Sequence, residues 1–106
     1  MVDVSVLIVT WNSAGEIKEC IESVIRNSKH LSLELIVIDN NSSDGSFDIA
    51  AKSGYENLHT YRNKENLGYT KAVNQAINYS TGRKLFLLNC IDGSRIIKNR
   101  SIYIYL

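Results

Sequence analysis

Leu35-Ile36-Val37-Ile38-Asp39-Asn40-Asn41-Ser42-Ser43-Asp44-Gly45 is the stretch that decides how this chain folds. Its first half is an apolar, β-branched run that stops at a carboxylate. Such continuous apolar character reads as a strand buried on both faces, as in parallel sheets. The Ser/Asn-rich second half reads as a loop that opens a helix. In open α/β sheets, ligands bind beyond the carboxyl ends of the strands. Asp39 stands at such an end. A carboxylate directly after a buried strand is costly without a partner, so Asp39 is the first candidate for a functional role.

The neighbouring segments repeat the theme. Upstream, Val4-Ser5-Val6-Leu7-Ile8-Val9-Thr10 is a nearly continuous apolar run that ends at Trp11-Asn12-Ser13. Ser13 and Glu16 have the spacing of a capping box. Ile17, Cys20, Ile21, Val24 and Ile25 then fall on one helical stripe, with Cys20 reading as a small core residue. Downstream, Ser43 or Asp44 is placed to cap a short helix through Phe47, Ile49, Ala50 and Ala51, with Gly54 as its stop. Leu58 to Arg62 is a third strand, and 63–68 is a turn-rich loop. A helix with Tyr69, Ala72, Val73, Ala76 and Ile77 on one face follows, and then a fourth strand from Lys84 to Asn89. Strand and helix alternate four times. That order predicts an α/β fold with a mostly parallel sheet and helices on both faces.

Composition narrows the function classes. The chain has 106 residues, enough for one small domain. Twelve basic and eleven acidic side chains nearly cancel, so nothing in the charge points to nucleic acid or to an anionic membrane surface as a partner. No apolar run reaches the roughly 18 residues of a transmembrane segment. Met1-Val2-Asp3 leads straight into a strand pattern rather than a signal peptide. Cys20 and Cys90 lack metal-ligand spacing, and two cysteines make no disulfide framework. The expectation is a reducing compartment: cytoplasmic, or peripheral to the membrane.

If the sheet is parallel, four loops meet at one edge. They bring Trp11 with Asn12 and Ser13, Asp39 with Asp44, Asn66 with Gly68 and Lys71, and finally Asp92. An aromatic plane, a carboxylate and a positive charge around helix N-termini suit a nucleotide. The base would stack on Trp11, Asp39 would accept a base or ribose proton, and the phosphates would approach a helix N-terminus and Lys71. Carboxylate oxygens such as those of Asp92 suit Mg2+ or Mn2+, which would neutralise a diphosphate. No Gly-rich dinucleotide fingerprint and no P-loop follow the first strand. Plainer roles stand beside these. Asp44 and Asn66 have the residue type of caps, and Gly68 that of a backbone requirement. Trp11 fits a core or rim position, Lys71 a solvated helix face, and Asp92 an ordinary turn before Gly93. His30 and His59 lack ligand-spaced partners.

In order and spacing, residues 3–89 are similar to the start of the family 2 glycosyltransferases, inverting GT-A enzymes that use nucleotide-sugar donors. Val4 to Ser13, Leu35 to Gly45, Arg62 to Tyr69, Asn74 to Ile77 and Gly82 to Asn89 carry the likeness. The resemblance implies a Rossmann-like nucleotide-sugar-binding half-domain over 1–92, with a UDP-sugar as the ligand. It places Thr10, Trp11 and Asn12 in the first donor loop and Asp39 at the base. It makes Asp44 the second acid of that loop and puts Asn66, Gly68 and Lys71 in the third donor segment.

The chain departs from the family pattern after the fourth strand. The family has an Asp-x-Asp or Asn-Pro-Asp motif there, whose last Asp holds the metal. Here Asn89-Cys90-Ile91-Asp92-Gly93 puts Ile91 in that place, and Asp92 serves only if the turn carries one extra residue. The acceptor half and the general base, which normally follow, have no counterpart. The expectation is therefore a donor-binding domain that is weak or inactive alone. The alternative is a non-catalytic module that forms a homodimer or docks on a partner. Residues 93–106 match nothing in the family and read as an altered reading frame or as a strand covering an open edge.

Overall fold

The computed structural model describes residues 1–88 and the backbone of 101–105. Strands β1 (Val4–Thr10), β2 (Leu33–Asp39), β3 (Leu58–Arg62) and β4 (Lys84–Leu88) alternate with helices α1 (Ile17–Asn27), α2 (Ser46–Ala51) and α3 (Tyr69–Tyr79). A last strand, β5, covers Ser101–Tyr105. The sheet order is β3-β2-β1-β4-β5. The first four strands are parallel, and β5 runs antiparallel to β4. This is the mostly parallel α/β sheet that the alternation predicted.

Every residue of β2 is buried, as its unbroken apolar run required. Side chains alternate between two cores. Val6, Ile8, Leu35 and Val37 face α1 and α2, where Ile17, Ile21 and Val24 meet them. Leu7, Ile36 and Ile38 face α3, whose Ala72 and Ala76 let the helix lie close to the sheet. The chain thus covers one face on its way out to β3. It then crosses to the other face on its way back to β4, beside β1. The strand order reverses between β1 and β4, the kind of point at which open α/β sheets bind ligands.

One sequence expectation changes. The Ser13–Glu16 capping box does not form, because Glu16 itself is the cap of α1 and makes no side-chain cap bond. Ser13 Oγ turns back to the Trp11 carbonyl, and its backbone carbonyl receives the Glu16 and Ile17 N–H groups. Cys20 is fully buried in the α1 stripe, as its place in the periodicity predicted. No helix among the described residues is long and apolar enough to cross a membrane.

The amino edge of the sheet holds a buried polar knot. Glu34 Oε2 accepts hydrogen bonds from Ser5 Oγ at 2.6 Å, Thr81 N at 2.6 Å and Thr81 Oγ1 at 3.0 Å. Ser5 Oγ in turn accepts the Gly82 N–H at 2.8 Å. The His59 imidazole lies 3.9 Å from Glu34 Oε1. Burial opposes the charge of Glu34 most strongly. The hydrogen bonds from Ser5 and Thr81, helped by His59, outweigh it and hold the carboxyl below its ordinary range.

Candidate functional site

At the carboxyl edge, strand register sets three side chains in a row. Thr10 lies opposite Asp39, and Asp39 lies opposite Arg62. The ladder continues into the loops, where Asn40 N donates to the Thr10 carbonyl and Asn63 N to the Asp39 carbonyl, both at 2.9 Å. Asp39 is completely buried. Its Oδ2 accepts the Ser42 N–H at 2.8 Å and lies 4.0 Å from Arg62 Nε. Among the described residues, its Oδ1 has no hydrogen-bond partner, and neither has the buried hydroxyl of Thr10. Two neighbouring orphaned polar atoms, one acceptor and one donor, thus sit at the strand ends. Leaving such a group unpaired costs about 1–3 kcal/mol, which a ligand can recover.

The first two loops are laced together. Asn12 N donates to Ser42 Oγ at 2.8 Å, Ser13 N to Ser46 Oγ at 2.8 Å, and Ala14 N to Asp44 Oδ2 at 3.0 Å. Ser43 N returns a bond to Asn12 Oδ1 at 2.8 Å. Asn12 and Asn41 have φ of 50° and 68°, left-handed conformations that asparagine tolerates better than most residues. Asp44 also accepts from Ser46, the first residue of α2, through Oδ1. The bonds from Ser46 and Ala14 hold its carboxyl below the usual range. Asp44 is thus a brace between loops and a cap on α2, although Gly45 occupies the formal cap position.

The third segment is tied in through amides. Asn40 donates through Nδ2 to the Gly68 carbonyl at 3.1 Å. Its Oδ1 receives Asn63 Nδ2 at 2.9 Å and Leu67 N at 3.3 Å. Asn63 and Gln75 exchange two bonds of 2.8 Å each. Asn66 Oδ1 takes the Gly68 N–H at 2.8 Å, so Asn66 shapes the turn. Gly68 has φ 87° and ψ 164°, a backbone conformation open in practice only to glycine. Trp11 is 53% exposed beside the row, and Lys71 is exposed on the first turn of α3.

Thr10 and Asp39 therefore share one row, and Asn12 and Asp44 share one loop junction. Asn66 and Gly68 reach the site through Asn40. Asp92 lies outside the described residues. Among the described residues, no three His, Cys, Asp or Glu side chains could jointly hold a metal ion. Sequence reasoning passed over Asn40, Ser42, Ser46, Arg62 and Asn63. Strand-end position pointed to Arg62 and Asn63, whereas nothing in the sequence separates Ser42 from Ser43.

The sequence model described as glycosyl transferase family 2 matches residues 5–92. The chain belongs to that family. AglE, a glycosyltransferase of Haloferax volcanii, is 35% identical over 89 residues, which are 81% of this chain and 29% of AglE. The chain thus spans about three-tenths of that relative's length. Among solved structures, the mannosyltransferase PcManGT of Pyrobaculum calidifontis, in complex with GDP-Man and Mn2+, superposes with a TM-score of 0.75 at 24% identity. That match covers 85% of this chain and 29% of PcManGT. TarS of S. aureus, residues 1–349 in complex with UDP, gives a TM-score of 0.73 at 24% identity. It covers 83% of this chain and 27% of the TarS chain. At that identity, the two superpositions establish the shared fold.

Proposed function

We propose that residues 1–92 are the nucleotide-sugar-binding half of a glycosyltransferase, with a UDP-sugar as donor. The observation that carries this reading is the orphaned pair at the strand ends. Uracil presents an N3–H flanked by two carbonyl oxygens. Asp39 Oδ1 would accept the N3–H, and the Thr10 hydroxyl would donate to an adjacent carbonyl. Trp11 would cover the ring face, and the N-terminus of α3 with Lys71 would receive the diphosphate. In the family-type reaction, an acceptor hydroxyl attacks the anomeric carbon with inversion, and a general base takes its proton. No described residue is assigned as that base. A divalent cation belongs to the proposal as a companion of the diphosphate, but the described residues supply no ligand set, so no step is routed through it.

Calorimetric titration of the chain with UDP and then a UDP-sugar, with and without Mn2+, tests the reading. Binding is expected, with affinity reduced at least about tenfold in Asp39→Ala, or about 1.4 kcal/mol. Equal affinity in the folded variant would overturn the assignment of the base site. One observation favours the non-catalytic reading: an apolar groove of about 400 Å3 lined by Val6, Val24, Leu31, Leu33, Phe86 and Leu88. A homodimer closing such a face would show as a sedimentation coefficient that rises with concentration.

A further inference from the structure

We infer that Arg62 is the positioning residue that fixes the orientation of the Asp39 carboxylate toward the ligand, and with it the discrimination between uridine and cytidine nucleotides. The inference rests on the nucleotide reading given above. A carboxylate has two chemically equal oxygens, and its terminal torsion is broad and two-fold. Only the surroundings can tell them apart. Here Oδ2 is engaged by the Ser42 N–H at 2.8 Å and faces Arg62 Nε at 4.0 Å, while Oδ1 is buried and unpartnered. Among the described residues, Arg62 is the one cation paired with Asp39.

Arg62 is itself fixed at two further points. Its Nη2 donates to the Ser42 carbonyl at 2.8 Å. Its guanidinium carbon lies 5.7 Å from the centroid of the Phe47 ring, within cation–π range. Ser42 therefore joins the two residues: its N–H holds Asp39 and its carbonyl holds Arg62. A planar guanidinium can serve the carbonyl and the carboxylate together because its N–H groups lie in a rigid fork, which a lysine ammonium lacks. With the fork in place, Asp39 has one oxygen satisfied and one left as a buried acceptor beside the Thr10 hydroxyl. Uracil supplies a proton to that acceptor at N3. Cytosine presents a lone pair at N3 and is repelled. Without the fork the carboxylate keeps the Ser42 N–H alone, on a loop that has lost its tie to Arg62, and the contrast between the two bases fades.

The test is a double-mutant cycle read by calorimetry with UDP and CDP as probes. The Arg62→Gln substitution is expected to lower UDP affinity about tenfold and CDP affinity less than about twofold, shrinking their ratio. In an Asp39→Asn background, the same substitution is expected to change UDP affinity by less than about twofold. Arg62→Lys, which keeps charge but lacks the fork, is expected to lose about threefold for UDP and to retain the fold. Equal losses for UDP and CDP, or a full loss that persists in the Asp39→Asn background, would overturn the positioning role, since general loosening of the loop acts without regard to base. A folded, unaltered chain that binds neither nucleotide would overturn the nucleotide reading and this inference together. UDP binding in the unaltered chain with an unchanged Arg62→Gln would overturn the inference alone.

Discussion

Gly82 shows how much one missing side chain can matter. A Cβ at this position would lie 2.5 Å from Ser5 Oγ, 2.6 Å from Ser5 N and 2.9 Å from the Val4 carbonyl carbon. Two of these are backbone atoms that cannot swing aside. Gly82→Ala is expected to lower stability by about 1–3 kcal/mol, visible as a drop in the urea midpoint with an unchanged slope. Its neighbour in the same knot, Glu34, carries a pH dependence of defined sign. Its carboxyl is held below its ordinary value in the folded chain, so the unfolded chain binds the proton more readily. The stabilisation is present above the unfolded value of about 4.3 and fades as the pH falls through the lower, folded value. Glu34→Gln is therefore expected to destabilise the chain by about 1.5–3 kcal/mol near neutrality, the range for hydrogen bonds to a charged group. Denaturant titrations of the two proteins should converge as the medium is acidified. A gap that stays constant with pH would show that the charge of Glu34 does not contribute.

At the scale of elements, strands were easier to read than helix ends. The apolar run that became β2 is buried in every residue, and that of β1 in all but Val4 and Val9, which are half-buried. The start of α1 was misread, and the second role of Asp44 was missed, because Ser13 and Asp44 answer to each other's loops. Ser13 N–H goes to Ser46, and Asp44 spans Ala14 and Ser46. Local spacing sees a cap within one helix, whereas the actual bonds join segments about thirty positions apart. The amide cluster is hidden for the same reason, since Asn40, Asn63 and Gln75 are ordinary loop and helix residues until the sheet brings them together. Asn40→Ala removes the bonds to Gly68, Asn63 and Leu67 at once. We expect it to free the start of α3. Amide exchange at Leu67 and Gly68 should accelerate by about tenfold or more, while β1 and β2 keep their protection. Uniform acceleration across the chain would mean that the cluster supports the whole fold rather than this one junction.

The molecule as a whole has two polar ends with separate work. At the amino edge, Ser5, Glu34, Thr81 and Gly82 satisfy one another. At the carboxyl edge, Thr10 and Asp39 keep one atom each unsatisfied. The sequence marked the second end because a carboxylate closing an apolar strand stands out. It hid the first, because Glu34 sits inside the β2 run and looks like an interruption of it. The alternation of strands and helices made the sheet legible. Strand ends supplied the candidate residues, the family likeness added Thr10, and only the assembled sheet distinguished the unsatisfied atoms of Thr10 and Asp39 from the groups that brace the loops.

The strand order also has a consequence in time. β1 is synthesised well before β4, yet it lies inside the sheet, between β2 and β4. The hydrogen bond from Gly82 to Ser5 closes a loop of 77 positions. Until β4 emerges, one side of the nascent β1 carries a row of unmet N–H and C=O groups next to a bare apolar face. Long-range parallel pairing of this kind is slow, and the exposed edge is a template for a neighbouring nascent chain. The same connectivity that sets the strand ends side by side makes the chain most vulnerable to aggregation in the interval before its fourth strand arrives.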